Sequence, residues 1–474
     1  MKIIILGAGR VGTSVAESLV SEANDITVID SDAARVADLQ SRYDLRGLVG
    51  NATQPSLLRE AGAADADLLI AVTAVDEVNL VACKIAAEVF NVPTRIARVR
   101  NTELQQHPKL LGDDGFRVSH IIWPEQSVTD LLLRLIEFPE ALQVLDFADG
   151  KVGLIAVRIY AGGPLVSHPI QDLRKHVPSV DARIVAIFRS GRSIACEGGT
   201  LIQPGDEVFF LAASQNIRAV MRELRRLDKP VRRLIIAGGG NIGLRLARAL
   251  DTGEGIDWGA KFNIKIIERN KRRCEQLSHQ VSSDVLVLNG DATDEDLLRD
   301  EGVGETDLFM ALTNDDENNI MSALLAKRMG ARRTIALINR KSYGELMQGG
   351  QIDIAISPSH ATLSNLLRHV RRGDVVAAHS LRHGAAEVLE MVVRGDAKTC
   401  KAAGRRIEQL KLPPGVQIGA IVRTIEDAER YDKVIVPHHD TVIEPGDHVV
   451  VFVPRKRMVR EVEKLFQVSA TFMF

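Results

Sequence analysis

A glycine-rich hexapeptide occurs twice in this 474-residue chain, each time directly after a short apolar run. Gly7-Ala8-Gly9-Arg10-Val11-Gly12 recurs as Gly238-Gly239-Gly240-Asn241-Ile242-Gly243. The likeness continues downstream: Gly50-Asn51-Ala52-Thr53 returns as Gly290-Asp291-Ala292-Thr293, and Asp67–Thr73, followed by Asp76-Glu77 and Asn79, returns as Asp307–Thr313 followed by Asp316-Glu317 and Asn319. The segments after each copy also correspond. Ala186-Ile187-Phe188-Arg189 matches Ala420-Ile421-Val422-Arg423, and Pro204-Gly205-Asp206-Glu207-Val208 matches Pro445-Gly446-Asp447-His448-Val449. The chain therefore reads A–B–A′–B′, with modules expected at 1–124, 140–226, 231–358 and 370–460.

Within module A, the runs Ile3–Leu6, Ile26–Ile29, Leu68–Val72 and Arg95–Val99 alternate with helical segments such as Val11–Val20 and Glu77–Phe90. Short apolar runs of this kind fit parallel strands buried on both faces, and their alternation with helices predicts a Rossmann-like, doubly wound α/β sheet. Module B carries runs at Gly153–Ile159, Arg183–Phe188 and Glu207–Leu211, separated by Gly162-Gly163-Pro164, Gly198-Gly199 and Pro204-Gly205. That spacing predicts a small α+β domain. Linking helices are expected over Asp130–Ile136 and Arg218–Lys229.

The glycine motif carries chemistry when it joins a strand to a helix. Gly7 permits the tight turn, Gly9 lets backbone approach a pyrophosphate, and Gly12 lets helix and strand pack closely. The helix N-terminus then presents free N–H groups to phosphate. An acidic residue ends the second strand of each copy, Asp30 and Glu268, 18 and 25 residues beyond the last glycine. The longer spacing is accounted for by an insertion at Gly253–Lys261. A carboxylate there can accept two hydrogen bonds from an adenosine ribose and repels a 2′-phosphate, so NAD or another adenine nucleotide is expected rather than NADP.

The two copies differ in charge. Arg10 stands where the second copy has Asn241, Arg98 is aligned with Ile338, and Asn51 is replaced by Asp291. Guanidinium groups hold phosphate oxygens bidentately. The first site is therefore expected to bind a dinucleotide or triphosphate more tightly than the second.

Other features point to plainer roles. Asp315-Asp316-Glu317 reads as a helix cap rather than a metal site, His438-His439-Asp440 as an exposed turn, and Cys83 as core. No metal site is expected, and the four cysteines are too scattered for a disulfide framework. Sixty basic against 62 acidic residues leave a net charge of −2, so no nucleic-acid partner is expected. No apolar run approaches the ~20 residues of a spanning helix. The opening residues lack a signal-peptide pattern, which leads to an expectation of a cytoplasmic chain. No zinc-protease, nucleophile-elbow or P-loop signature occurs, and the B modules carry no acid–base residue common to both copies. Two nucleotide modules without a catalytic module suggest a sensor; the alternative is an NAD-dependent oxidoreductase.

Lys2–Gly12, Val72–Ala82, Arg95–Arg100, Ala186–Arg189, Gln215–Met221, Gly238–Gly243, Thr313–Gly330 and Ile352–Pro358 together resemble the TrkA family, whose chains are tandem RCK domains, each an N-lobe plus a C-lobe. The resemblance implies a nucleotide-binding, non-enzymatic regulatory subunit of a bacterial potassium uptake system. It further implies a homotetrameric ring, peripheral on the cytoplasmic face of the inner membrane and docked on a potassium-translocating subunit of TrkH or TrkG type. By the family pattern, Gly7, Ala8, Gly9, Arg10, Val11, Asp30, Asn51, Thr73, Ala74 and Arg98 line the first site. Gly238, Gly239, Gly240, Asn241, Ile242, Gly243, Glu268 and Asp291 line the second. The implied ligand is NAD+ or NADH, with ATP or ADP at the same sites.

Overall fold

The computed structural model describes residues 1–20, 24–178, 180–224, 229–253, 261–340, 342–344, 351–370, 375–381, 386–426 and 430–468. The expected insertion at Gly253–Lys261 lies outside the described residues except for its two ends.

The first module runs β1 (Lys2–Leu6), α1 (Arg10–Val20), β2 (Asp25–Asp30), α2 (Ala33–Arg42), β3 (Arg46–Val49), α3 (Pro55–Glu60), β4 (Leu68–Ala71), α4 (Asp76–Glu88), β5 (Thr94–Arg98), α5 (Pro108–Leu111) and β6 (His120–Ile122). Its six strands lie in the order β3-β2-β1-β4-β5-β6, all parallel. The chain leaves β1 on one side and returns on the other at β4, which makes the crevice beyond β1 and β4 the topological switch point. Ile3–Leu6 and Leu68–Ala71 are buried throughout, as strands covered on both faces must be. Helix α2 starts on Asp32, whose carboxylate accepts from the N–H groups of Ala34 (2.9 Å) and Arg35 (3.3 Å). The second module A repeats the topology around a central strand Arg233–Ala237, flanked by Asn263–Glu268 and Leu308–Ala311.

Each B module holds a five-stranded antiparallel sheet. A buried ion pair fastens its Pro-Gly-Asp turn. Arg189 grips Asp206 with Nε at 2.8 Å and Nη2 at 2.9 Å, and Arg423 grips Asp447 at 2.8 Å through both nitrogens. Both aspartates are fully buried, and each also accepts one backbone N–H, from Gln203 or Glu444, at 2.8 Å. Bidentate geometry plus a further donor supplies what a buried carboxylate needs to offset its lost hydration. This is the physical content of the repeated Arg and Pro-Gly-Asp signals.

The linking helix α6 is Pro124–Glu137, six residues longer at its start than expected, because Pro124 occupies a first-turn position where its missing N–H costs nothing. The second expected linker is helical over Ile217–Leu224 only; 225–228 fall outside the described residues, and Lys229 is not helical. The final helix, Val459–Phe466, runs past the expected module end at 460.

By backbone contacts the chain divides into two compact units. One holds the first Rossmann lobe and both antiparallel domains (1–122, 140–227 and 363–474); the other holds α6 and the second Rossmann lobe (123–139 and 228–362). Inside the first unit, Phe147, Leu154, Phe209 and Leu211 of one antiparallel domain share an apolar cluster with Leu381, Val388, Val450 and Phe452 of the other. The sheets approach closely there: a Cβ on Gly419 would fall 2.2 Å from Leu211 Cδ1. At the edge of this cluster, buried Glu390 accepts the Ala148 N–H at 2.9 Å and contacts His448 Nδ1 at 2.6 Å.

Candidate functional site

The glycines are spent as the motif requires. Gly7 has φ +104°, and a Cβ there would meet the Thr73 backbone at 3.0 Å. At Gly12 a Cβ would lie 1.8 Å from the Gly7 carbonyl oxygen, so no side chain fits between strand and helix. Gly9 differs: a Cβ would meet nothing within 4 Å. That position is therefore open to an approach from outside the fold. Gly238, Gly240 and Gly243 repeat the three situations, with φ +110°, open space, and 2.1 Å to the Gly238 oxygen respectively.

Each acidic residue at the end of the second strand turns toward the glycine loop. Asp30 accepts the Ala8 N–H at 2.5 Å on one oxygen and the Asp32 N–H at 2.8 Å on the other. Glu268 accepts Gly239 N–H at 2.9 Å and Asn270 N–H at 2.8 Å. One bond per oxygen orients the carboxylate and leaves each oxygen a second lone pair for a diol. The two copies compensate in size. The longer acid, Glu268, sits opposite Gly239, where a Cβ would come within 3.2 Å of its Oε2; the shorter Asp30 sits opposite Ala8.

A buried asparagine builds the far wall, and sequence reasoning saw it only as part of the repeat. Asn79 is fully buried; its Oδ1 accepts the Thr73 N–H at 2.9 Å, and its Nδ2 donates to the carbonyl of Arg98 at 2.9 Å. Asn319 does the same for Thr313 (2.9 Å) and Leu337 (2.8 Å). One side chain thus ties the ends of two strands to the helix that follows. It also corrects an alignment: the counterpart of Arg98 is Leu337, not Ile338, because the connection preceding that strand is one residue shorter in the second lobe.

The remaining site residues fall at the carboxyl ends of the same strands. Arg98 donates from Nη2 to the Thr73 carbonyl at 2.7 Å, which sets its guanidinium beside β4. Arg10 is the exposed first residue of α1, with Val11 and Gly12 buried behind it. Thr73 is half-buried and Ala74 exposed at the mouth. Asn51 and Asp291 each close a turn, their Oδ1 accepting from the backbone N–H of Thr53 or Thr293 at 2.9 Å. That bond, first among the causes, holds the Asp291 carboxyl below the usual range. Asn241 and Ile242 open the second helix as Arg10 and Val11 open the first.

The second crevice is not devoid of cations. Arg273 donates from Nε to the Gly239 carbonyl at 2.8 Å, and Arg269 lies 3.9 Å from the Asp291 carboxylate. Both belong to the second-strand side, where a ribose would lie; Arg10 and Arg98 belong to the side between the first, fourth and fifth strands. Sequence reasoning missed Arg273 because its contact is with a backbone carbonyl far away in the chain.

The plainer features are placed as expected. Asp315 caps its helix by accepting Asn318 N–H at 2.7 Å, while Asp316 is buried and accepts Asn339 N–H at 2.9 Å. His438, His439 and Asp440 are exposed, and Cys83 is buried. Burial pushes the Cys83 thiol up to about 12, which makes it inert. Among the described residues, no helix is long and apolar enough to cross a membrane.

With this geometry in place, comparison with known proteins becomes specific. The TrkA-N domain model matches residues 3–122 and 234–358, and the TrkA-C domain model matches 154–225 and 396–467. The chain belongs to the TrkA family. Similar relatives include the Trk system potassium uptake protein TrkA of Vibrio alginolyticus, 51% identical over the full length of both chains. Those of Halomonas elongata and Haemophilus influenzae are 52% and 46% identical, again over all of both chains. Among solved structures, the GsuK RCK domain aligns with TM-score 0.57 at 18% identity, covering 98% of this chain and 94% of that one. A structure described as the GsuK channel bound to NAD aligns equally well, TM-score 0.57 and 18% identity, over 98% of this chain and 78% of that one. The tandem Rossmann-plus-antiparallel architecture is thus the RCK fold. As a TrkA-family member the chain is a regulatory protein of potassium uptake and not an enzyme, which sets the oxidoreductase alternative aside.

Proposed function

We propose that both crevices hold an adenine nucleotide and that its binding regulates a membrane potassium-translocating subunit of TrkH or TrkG type. The observation that carries the proposal is the open space over Gly9 and Gly240, each facing an oriented carboxylate with free lone pairs. A pyrophosphate takes the open space and the helix N-terminus; a ribose diol takes the carboxylate. An added 2′-phosphate would meet Asp30 or Glu268, so NAD+ or NADH, and ATP or ADP, fit better than NADP. The NAD of the GsuK channel's description is of this class.

The first crevice takes the more highly phosphorylated ligand. Arg10 and Arg98 have Asn241 and Leu337 as counterparts, so the phosphate side of the second crevice lacks both guanidinium groups. Ligands that differ in phosphate charge then bind two arrangements of the lobes with different affinity and shift the balance between them. A ligand without such a difference shifts nothing. A coupling of about 1–3 kcal/mol per site is typical, and a homotetrameric ring at the cytoplasmic face of the inner membrane would multiply it.

The test is potassium flux into vesicles that carry the membrane subunit together with this chain. Flux should change between ADP and ATP, or between NAD+ and NADH. Flux indifferent to every nucleotide that binds would reduce the chain to a scaffold.

A further inference from the structure

We infer that occupancy of the first crevice is read out by the antiparallel domain of the second half, through helix α1 and the residues Lys456 and Arg460 that hold its far end. The inference rests on the nucleotide reading of the crevice and adds where the signal goes.

Helix α1 links the two places directly. Its first residues, Arg10–Gly12, form the phosphate side of the crevice, and its 11 residues carry it roughly 16 Å to Val20. The apolar face of α1 lies in a core shared with the second half. Val11, Val15 and Leu19 cluster with Leu363, Leu366 and Val370 of the helix Pro358–Val370, and with Leu389, Val459 and Phe466 beyond it. A shift of the helix therefore cannot be absorbed locally, because packed cores transmit displacement.

Polar contacts then fix the far end. Ser18 is buried and accepts from Lys456 Nζ at 3.2 Å. Asn24 donates from Nδ2 to the Leu19 carbonyl at 3.0 Å, one of the last carbonyls of α1, and accepts from Arg460 Nη2 on Oδ1 at 3.0 Å. A helix C-terminus carries partial negative charge and favours cations, yet α1 has no basic residue in its last turn. Lys456 and Arg460 stand in for them. Lys456 lies just before the helix Val459–Phe466 and Arg460 in its first turn, so both sit at that helix's positive end, an unfavourable place for a cation. Their placement is explained by α1 and not by the helix Val459–Phe466.

The sequence of the other half does not repeat these pairings: Arg460 keeps a counterpart in Arg218, but its acceptor Asn24 is replaced by Phe262. Ser18 corresponds to Ala249 in the second Rossmann lobe, and Lys456 to Ser214 in the first antiparallel domain. The latch is thus specific to the lobe whose crevice carries Arg10 and Arg98. A phosphate seated at the N-terminus of α1 and cations seated at its C-terminus act on one dipole. Changing one end changes the affinity of the other, reciprocally.

The experiment is hydrogen exchange of the full-length chain with and without ADP, on wild type, on Lys456→Met/Arg460→Gln, and on Ser18→Ala. In wild type, ADP should slow exchange severalfold both at Gly7–Gly12 and in Val459–Phe466. In the double variant the loop should remain protected by ADP while the response of Val459–Phe466 falls by more than half, and ADP affinity should drop about three- to tenfold. Ser18→Ala, which copies the natural Ala249, should give a smaller loss in the same direction and keeps the test usable if the double variant does not fold. An unchanged response of Val459–Phe466 in the variants would overturn the inference, as would ADP protection of the loop with no response there in wild type. Absence of ADP protection at Gly7–Gly12 would instead bring down the nucleotide reading itself, and the coupling with it.

Discussion

The two Rossmann lobes repeat the same anchoring bonds at nearly equal lengths and differ where a ligand would touch them. Asn79 and Asn319 each bind the threonine N–H at 2.9 Å and the next strand's carbonyl at 2.9 and 2.8 Å. Gly12 and Gly243 leave 1.8 and 2.1 Å for a Cβ that cannot exist. Against that, Arg10 is replaced by Asn241, Arg98 by Leu337, and the Ala8–Asp30 pairing becomes Gly239–Glu268. On the proposed reading, residues that hold the fold and residues that would sort ligands lie close together in the same loops. Duplication therefore preserves one set while the other diverges.

The largest effect should separate Gly12 from Gly9 within one loop. Gly12→Ala forces Cβ into the Gly7 carbonyl and should destabilise the lobe by about 1–3 kcal/mol or more, read as a fall in Tm with loss of nucleotide binding. Gly9→Val should leave Tm nearly unchanged and abolish binding, since its side chain enters only the open space. Equal effects of the two on Tm would break the distinction between fold and ligand positions.

Next in size, Asn79→Ala and Asn319→Ala should cost about 1–3 kcal/mol each, because each strands a backbone N–H and a carbonyl. Denaturant titration should find the two losses alike; a marked inequality would show that the shared frame is not equally used.

The ligand positions sharpen the contrast. Charge-assisted hydrogen bonds contribute about 1.5–3 kcal/mol, so Arg10→Ala or Arg98→Met should weaken ATP at the first crevice by about ten- to a hundredfold. Asn241→Arg should strengthen ATP binding at the second. Calorimetry on the full chain reads both, and an Asn241→Arg variant that binds ATP no better would argue against the charge account.

The smallest effect compares the antiparallel domains. Arg158 pairs with Glu207 at 2.8 Å in the first, whereas His448 occupies the Glu207 position in the second and pairs with Glu390 at 2.6 Å. The Glu390 hydrogen bond, reinforced by Asp149 and opposed by burial and by Lys151, raises the histidine above its ordinary value of 6.5. A raised folded-state value means that the pair's stabilisation is complete below about pH 6.5 and is lost as pH climbs through the raised value. The Tm gap between wild type and His448→Gln should therefore shrink from pH 6 to pH 9. Because His448 is partly exposed, the gap should be small.

Much of this was legible in the chain itself. Apolar runs unbroken or nearly so marked β1, β2 and β4, the short interrupted run Arg95–Val99 marked β5, and the repeated glycines and acids marked both crevices. Strand β3, Arg-Gly-Leu-Val, and strand β6, His-Ile-Ile, escaped because short edge strands need little apolar surface. Ala141–Phe147, with two of every three residues half-exposed along most of its length, offers no clean alternation either. Asn79 was visible as a repeated letter, but its role is a tertiary one, carried by bonds to residues six and nineteen positions away. The latch from Lys456 to Ser18 spans 438 positions and leaves no local pattern at all.

The central claim is that two unequal adenine-nucleotide crevices coexist in one chain, the first favoured by its phosphate-side arginines. Calorimetric titration of ATP into wild type, Asp30→Ala and Glu268→Ala tests it most directly. The account predicts two classes of site in wild type, with the tighter class lost in Asp30→Ala and the weaker lost in Glu268→Ala. Survival of the tighter class in Asp30→Ala and its disappearance in Glu268→Ala would contradict it.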